Sequence, residues 1–188
     1  MRSKMSFVLL CVVALALAVT CPALAVGAAR RTPQIQGHAK AFAPVPIDKL
    51  ANYKSLRKKT TKSEFQQAYD VATRVVAPLA GMDRKEQLDG IAKALRRLVD
   101  TGRVSYSESA PHYNDPYGYF IVGVSSCAGC TRATGLCLNI LGIPYEHVNE
   151  NKWSHQWCRV KVDGGYWICD PYGLYCGPEP APYGHPYI

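Results

Sequence analysis

The chain has 188 residues and a formal net charge of +8, which gives room for one domain and excludes two domains of ordinary size. Residues 26–62 hold nine Lys or Arg and a single Asp, whereas residues 63–188 hold eleven basic and thirteen acidic residues. Because this second part is nearly neutral, the charge argues against nucleic acid as a partner, which would require basic residues interleaved with aromatic ones on the folded surface.

The first residues are typical of a secretory signal peptide over 1–25. A positively charged start precedes an apolar run at 7–19, and Ala-Leu-Ala at 23–25 is a small-x-small cleavage signal. The apolar run is too short to span a membrane. A lipoprotein signal ending at Cys21 is a poorer match, because a threonine precedes that cysteine. We therefore expect a secreted or cell-surface protein after removal of the signal peptide.

Residues 26–60 combine prolines with many charges, which predicts a flexible basic arm. Outside a cell, such an arm suits an anionic cell-wall or membrane surface. A solvated linker without a partner is the alternative. The domain itself is then expected over residues 61–188.

Two amphipathic helices are predicted at the start of this domain. The first begins with a capping box formed by Thr61 and Glu64, and the second with the pair Asp83 and Glu86. Gly102 is the expected C-terminal cap of the second helix. Both helices present an apolar stripe, which indicates packing elements without chemistry of their own.

A helix that begins at Cys127 is the centre of the predicted domain. The apolar, β-branched run at 119–124 predicts a buried strand before it, and Gly142 ends the helical pattern. A further strand is expected at 145–148. At the first turn of a helix, unpaired N–H groups and the positive end of the macrodipole stabilise a thiolate. Cys127 is therefore a candidate nucleophile.

A β-hairpin is predicted next, with strands at 155–162 and 165–171 joined by an Asp-Gly turn. In this register His155 and Asp170 are diagonal neighbours on one side of the sheet, and such pairs lie roughly 7–8 Å apart at Cα. An aspartate side chain can reach an imidazole over that distance. The pair is therefore a candidate base with its orienting carboxylate.

Six cysteines remain between residues 127 and 176 once the signal peptide is removed. An exported chain permits disulfides. Cys158 and Cys169 face each other on the apolar side of the predicted hairpin. They are expected to form either a cross-strand disulfide or two buried thiols.

Four short sequence blocks support these candidate residues. They are Ser-Cys-Ala-Gly-Cys-Thr-Arg-Ala at 126–133, Leu-Gly-Ile-Pro at 141–144, Ser-His-Gln-Trp at 154–157 and Tyr-Trp-Ile-Cys-Asp-Pro at 166–171. Together they resemble the transglutaminase-like superfamily of papain-like thiol enzymes. That family has a Cys followed by Gly and Ala in a helix, then Leu-Gly-Ile-Pro, a His-Ala-Trp strand and a Trp-x-x-Asp-Pro strand.

The resemblance implies an α+β fold with a papain-like, transglutaminase-like core. N-terminal helices and a nucleophile-bearing helix would pack on an antiparallel sheet. It also implies that Cys127 is the nucleophile, His155 the general base and acid, and Asp170 the residue that orients the imidazole. Such enzymes form a thioester with an amide carbonyl and pass the acyl group to water or an amine. We expect no metal and no other cofactor.

Residues around the triad are expected to contact the substrate. Trp157 would shield the site or pack beneath it, with a purely structural role as the alternative. A backbone N–H at the helix start can supply one oxyanion donor. Tyr106, Tyr113 or Tyr117 are candidates for another donor and for substrate binding.

The chain departs from the family pattern at two cysteines. Cys130 stands where the family often has an aromatic residue, and Cys158 where an asparagine commonly follows the His-Ala-Trp block.

Three other hypotheses about the function follow from the cysteines. Cys127 and Cys130 resemble a thioredoxin-type dithiol, although the chain lacks a proline at the fitting distance. A zinc site would use Cys127, Cys130 and two of His155, Cys158, Cys169 and Cys176.

The third alternative is a non-catalytic relative in which the triad is only a packing remnant. The interpretation that we carry forward is a secreted cysteine enzyme acting on amide bonds of a protein or peptide. Hydrolysis is favoured, because nothing in the sequence suggests a dedicated amine site. Transglutaminase activity remains open, since the first half-reaction is the same.

Overall fold

The computed structural model describes residues 42–148 and 155–182, in which helices come first and a sheet follows. The helices are α1 (Tyr53–Arg57), α2 (Lys62–Val76), α3 (Arg84–Asp100) and α4 (Cys127–Ile140). The strands are β1 (Ser105–Tyr106), β2 (Val124–Ser125), β3 (Glu146–Val148), β4 (Trp157–Val162), β5 (Gly165–Asp170) and β6 (Tyr175–Pro178). The fold is α+β with an antiparallel sheet, as predicted from the sequence.

The predicted signal peptide and the first part of the predicted arm lie outside the described residues. The segment between the predicted strands at 145–148 and 155–162 lies outside them as well. Within the described part of the chain, no helix is long and apolar enough to cross a membrane.

Both predicted capping boxes are confirmed. The N–H of Glu64 donates to Oγ1 of Thr61 at 3.2 Å, and the Glu64 carboxylate accepts from the N–H of Thr61 at 2.7 Å. Asp83 and Glu86 make the same reciprocal pair at the start of α3. The apolar faces of α2 and α3 are buried in the core.

The prediction of a flexible arm is wrong for residues 42–60. Leu56 of α1 is fully buried and Leu50 is nearly so. The N–H of Val45 also donates to the carbonyl of Ile140, at the end of α4, over 3.0 Å. Prolines and charged residues dominate the composition of this segment, so the composition does not reveal the few apolar side chains that pack into the core.

The prediction of a strand at 119–124 is also wrong for most of these residues. Gly118–Val122 form a π-helical turn instead, and only the two residues of β2 are extended. The carboxylate of Asp115 accepts the N–H of Gly118 at 2.9 Å and so holds the start of the turn. Gly123 ends it with a φ of +83°, a conformation that favours glycine.

The hairpin register is confirmed. Cys158 lies opposite Cys169, and Val162 opposite Gly165, in a sheet of order β3-β4-β5-β6. β4 begins two residues later than predicted, so His155 lies just before the strand. β6 is an edge strand, which fits the prolines that follow it.

Helix α4 is buried along most of its length between the other helices and the sheet. It contacts α2, α3 and β4.

Candidate active site

Cys127 is the first residue of α4, and its backbone is held in place from both sides. The N–H of Ser126 donates to the carbonyl of Tyr113 at 2.7 Å. The carbonyl of Ser126 accepts the N–H of Cys130 at 3.0 Å, which starts the helix. The thiol is partly exposed. It thus lies beside the N–H groups of the first helical turn, which have no partner within the helix.

His155 and Asp170 are in direct contact. Nε2 of the imidazole lies 2.6 Å from Oδ2 of the carboxylate, and the two side chains are 11% and 2% exposed. The other carboxylate oxygen accepts the backbone N–H groups of Tyr172 and Gly173 at 3.1 and 2.8 Å. These bonds fix the carboxylate, which in turn fixes the plane of the imidazole.

The charge state of His155 links it to the cysteine. Burial by itself lowers the pKa of His155, but hydrogen bonds to Asp170 and to the Cys127 side chain outweigh burial and raise the pKa to about 9. Since Nε2 is bonded to Asp170, Nδ1 is the nitrogen that faces the sulfur. The imidazole therefore retains its proton at neutral pH, and it lies beside the Cys127 side chain.

A cleft of about 480 Å³ opens over Cys127. Its walls bring together the residue after α1, the 106–114 loop, the first two turns of α4 and the residue before β4. The lining residues are Lys58, Glu108, Tyr113, Asn114, Ser126, Cys127, Ala128, Arg132 and Gln156.

Arg132 connects three walls of the cleft. Its guanidinium donates to the carbonyl oxygens of Ser55 at 3.3 Å and of Asn114 and Ala128 at 3.1 Å. Burial lowers the pKa of Arg132. The side chain of Arg132 thus holds α1 and the loop around Asn114 beside Cys127.

Gln156 lies directly after His155 and is held by a second histidine. Nε2 of His147 lies 2.7 Å from Oε1 of Gln156. Burial lowers the pKa of His147. Gln156 lines the cleft, and with its oxygen bound to His147 the amide nitrogen is the group of this side chain that can donate there.

The three predicted tyrosines lie in different places. Tyr113 lines the cleft. Tyr106 is 61% exposed and donates its hydroxyl to Glu108, and this hydrogen bond, followed by burial and the charge of Cys127, raises the pKa of Tyr106 to about 12. Tyr117 packs edge-on against His112 and belongs to the margin of the core.

Trp157 is 2% exposed, so its ring is not open to the cleft. It stacks on His155 with ring centroids 6.1 Å apart and an interplanar angle of 25°. On its other side lie Ile168 and Ala181. These contacts place Trp157 against the imidazole of His155.

Cys158 and Cys169 are both buried free thiols in the structure. The thiol of Cys158 donates to the carbonyl of Thr131 at 3.2 Å. Cys169 is hydrogen-bonded to Cys176 on the neighbouring strand, and this bond together with burial raises the pKa of Cys169. The thiol of Cys169 therefore interacts with a sulfur on β6.

Sequence reasoning missed Lys58, Glu108, Arg132 and Gln156. Lys58 fell within the segment predicted to be an arm. Arg132 follows Ala128 by four residues, one helical turn, and this spacing was the available signal for its position beside the nucleophile. Gln156 follows His155 directly, but adjacency alone predicts no direction for its side chain.

The sequence matches no protein-family model, and a comparison with curated proteins found no match. Among solved structures the chain is similar to one described as the crystal structure of a TGase, with 15% sequence identity and a TM-score of 0.49. The similarity covers 65% of this chain and 36% of that chain. A likeness of this size assigns neither family nor activity, so the function has to be inferred from the site itself.

Proposed function

We propose that this protein is a thiol enzyme of the transglutaminase-like type that attacks amide bonds through a thioester intermediate. Cys127 is the nucleophile, His155 the general base and acid, and Asp170 the residue that orients the imidazole. The observation that supports the proposal is His155 hydrogen-bonded on one side to Asp170 at 2.6 Å and on the other to the Cys127 side chain. A thiolate beside an imidazolium is a nucleophile that needs no further activation.

In the first half-reaction, Sγ of Cys127 forms a bond to the amide carbonyl carbon. The negative charge moves to the carbonyl oxygen. When this tetrahedral intermediate collapses, the C–N bond breaks and the imidazolium of His155 gives its proton to the leaving amine. The products are a thioester on Cys127, a neutral His155 and a free amine.

In the second half-reaction, neutral His155 takes a proton from water as the water oxygen attacks the thioester. The C–S bond then breaks, the thiolate and imidazolium are restored, and a carboxylic acid leaves. We propose hydrolysis as the outcome. Transfer to an amine, as in a transglutaminase, is the alternative, and it differs only in the molecule that His155 deprotonates.

Two kinds of donor at the cleft fit the developing oxyanion. The first is the set of backbone N–H groups at the start of α4. The second is the side-chain amide of Gln156, whose oxygen lies 2.7 Å from Nε2 of His147. Donors placed in advance at the position of the developing charge lower the barrier to acyl transfer.

We propose that the enzyme acts outside the cell, on a protein or peptide, after cleavage near residue 26. The same proposal gives the basic arm an anionic cell-wall or membrane surface as its partner. N-terminal sequencing of the protein recovered from the medium or cell surface tests the cleavage. A protein that retains its initiating methionine in the cell would contradict it.

Thiol labelling at about pH 6 tests the catalytic assignment, because an ordinary thiol is almost entirely protonated there. Cys127 and Cys176 are the two partly exposed cysteines among the described residues, so Cys176 is a comparison within the same molecule. We expect iodoacetamide to label Cys127 rapidly and Cys176 slowly. In His155→Ala the fast labelling should disappear.

Equal, slow labelling of both cysteines would contradict the proposal, as would fast labelling that survives His155→Ala. Hydrolysis and transfer are then separated by incubating the protein with a glutamine-containing peptide and a labelled amine. Release of ammonia without amine incorporation indicates hydrolysis, whereas incorporation indicates transglutaminase activity.

A further inference from the structure

A basic surface runs into the cleft over Cys127. Lys58 lines both this cleft and a neighbouring hollow of about 410 Å³. The residues that line that hollow are Tyr53, Lys54, Arg57, Lys58 and Lys62. Positive charge that lines a concave surface concentrates anions there and guides them inward.

Arg132 lines the cleft, and beyond its three carbonyl contacts it has two hydrogen-bond donors that make no bond to the described residues. Its Nε and Nη1 atoms make the three bonds to carbonyl oxygens. A guanidinium has five N–H groups, so the two on Nη2 remain. In the described part of the chain, no hydrogen bond uses Nη2 and no carboxylate forms an ion pair with Arg132. A guanidinium edge of this kind fits a carboxylate.

Lys58 lies close enough to Arg132 for the two like charges to interact. The charge of Arg132 is the main cause that lowers the pKa of Lys58, followed by burial and the charge of Lys59. Two cations at this separation repel each other in the free protein. A bound anion would relieve the repulsion.

Lys58 and Arg132 bring two positive charges to the cleft, and Glu108 brings one carboxylate to its lining. The Glu108 carboxylate is engaged by the hydroxyl of Tyr106. The charge of Asp115 also acts on both cations. The planar guanidinium edge of Arg132 favours a carboxylate as the ligand.

We propose that Lys58 and Arg132 form a carboxylate-binding subsite, and that the substrates of this enzyme are acidic peptides with a carboxylate close to the amide that Cys127 attacks. This inference rests on the proposed function and names the substrate class of the same site. The carboxylate belongs either to an acidic side chain or to the C-terminus of the peptide.

Two alkylating reagents of nearly the same size test the subsite without knowledge of the substrate. Iodoacetate carries the carboxylate and iodoacetamide does not, and both alkylate the Cys127 sulfur with release of iodide. We expect the ratio of their rates at Cys127 to fall by about three- to ten-fold in Lys58→Gln. In Arg132→Gln we expect a fall of similar size. Added salt should lower the ratio in the wild-type protein, because it screens the attraction.

Lys161→Gln is the matched control, since Lys161 is an exposed lysine of β4 that does not line the cleft. It should leave the ratio unchanged. Arg132→Lys preserves the charge but not the fork of donors, which separates loss of charge from loss of the bonds to the three carbonyls. An unchanged ratio in Lys58→Gln would overturn the subsite.

The two proposals fail in different ways. Slow labelling by iodoacetamide itself would contradict the catalytic assignment, whereas fast iodoacetamide labelling with a rate ratio insensitive to Lys58→Gln would contradict the subsite alone.

Protection of Cys127 by peptides then identifies the source of the carboxylate. Peptides with Glu or Gln beside the target amide, each with a free or amidated C-terminus, are tested as protectors of Cys127. Protection that follows either carboxylate supports the subsite, and equal protection by all four peptides overturns it.

Discussion

The Nε2 atom of His155 lies 2.6 Å from Oδ2 of Asp170, and the second oxygen of that carboxylate is held by two backbone N–H groups. The carboxylate is thus fixed on one side by the backbone and on the other by the imidazole. Because Asp170 is 2% exposed, these donors compensate its charge in place of water. The protonated imidazole is the only one of them that can change its charge.

Asp170→Asn should lower the pKa of His155 from about 9 toward its ordinary value of 6.5. The amide keeps the size of the side chain but removes the negative charge, and burial then favours the neutral imidazole. NMR titration of the imidazole protons in the wild type and the variant measures the shift. A pKa that is the same in both proteins would show that Asp170 does not control the charge of His155.

The same pair makes stability depend on pH. The pKa of His155 is raised in the folded state, so its contribution to stability is complete below about pH 6.5 and is lost as the pH rises through about 9. The loss between these limits is on the order of 3 kcal/mol. Urea denaturation of wild type and Asp170→Asn at several pH values should show the difference in unfolding free energy shrinking toward high pH.

Local patterns predicted much of the fold because the signals lie within a few residues of one another. The capping boxes of α2 and α3, the start of α4 at Cys127 and the hairpin register all follow from short-range spacing. The contact between His155 and Asp170 follows from that register. The likeness of four sequence blocks to a known family added the roles, which remain proposals.

Other features depend on contacts that no local pattern records. Leu56 is buried in a core that includes residues of α4, and α4 lies far along the chain from α1. The π-helical turn at Gly118–Val122 replaces a strand because the carboxylate of Asp115 and the left-handed Gly123 define its two ends. Lys58 and Arg132 meet only after α1 has docked, so their shared cleft could not be inferred from their positions in the sequence.

Gly129→Ala should destabilise the protein and disturb the cleft. A Cβ at this position would lie 2.4 Å from the carbonyl oxygen of Tyr113, the atom that accepts the N–H of Ser126. The Cβ would also lie 2.4 Å from Oγ of Ser125, so the cost falls in the upper part of the usual overpacking range of about 1–3 kcal/mol and outweighs the roughly 1 kcal/mol that alanine gains over glycine in a helix. Thermal denaturation measures the loss, and iodoacetamide labelling of Cys127 should slow.

The matched control is Gly81→Ala, because a Cβ at Gly81 meets no atom within 4 Å. It should leave the unfolding free energy within about 0.5 kcal/mol of wild type. If both glycine variants behaved alike, the contact between α4 and the Tyr113 carbonyl would not be a constraint on the site.

Leu56→Ala tests whether residues 42–60 are part of the domain. Leu56 would be exposed to solvent if this segment were a flexible arm, whereas it is fully buried in the structure. Removal of a buried leucine side chain costs about 2–5 kcal/mol. Lys54→Ala, an exposed position of the same helix, should cost little. Equal stability of the two variants in chemical denaturation would support the arm predicted from the sequence.

Cys130→Ala separates the thioester mechanism from a thioredoxin-type dithiol. Cys130 is 1% exposed, and burial raises its pKa well above the ordinary value. It therefore stays a thiol and is poorly placed to exchange a disulfide with Cys127. We expect iodoacetamide labelling of Cys127 in the variant to stay within about two-fold of wild type. Disulfide reductase activity that is present in the wild type and lost in Cys130→Ala would favour the dithiol.

Gln156→Ala tests the oxyanion donor with two reactions at the same sulfur. Acylation by p-nitrophenyl acetate passes through a tetrahedral oxyanion, whereas alkylation by iodoacetamide does not. Loss of one oxyanion donor slows acyl transfer by about 10²-fold. We therefore expect the nitrophenol burst of Gln156→Ala to slow by about this factor, while its labelling by iodoacetamide stays close to wild type.

The comparison isolates the donor because both reactions need the same thiolate and the same imidazolium. A variant that merely disturbed the Cys127–His155 pair would slow both reactions together. Asn114→Ala is the control, since Asn114 brings the other side-chain amide to the lining of the cleft. If Asn114→Ala slowed acylation selectively and Gln156→Ala did not, the donor would lie on the 106–114 loop, and the contact of Gln156 with His147 would serve only to hold the start of β4.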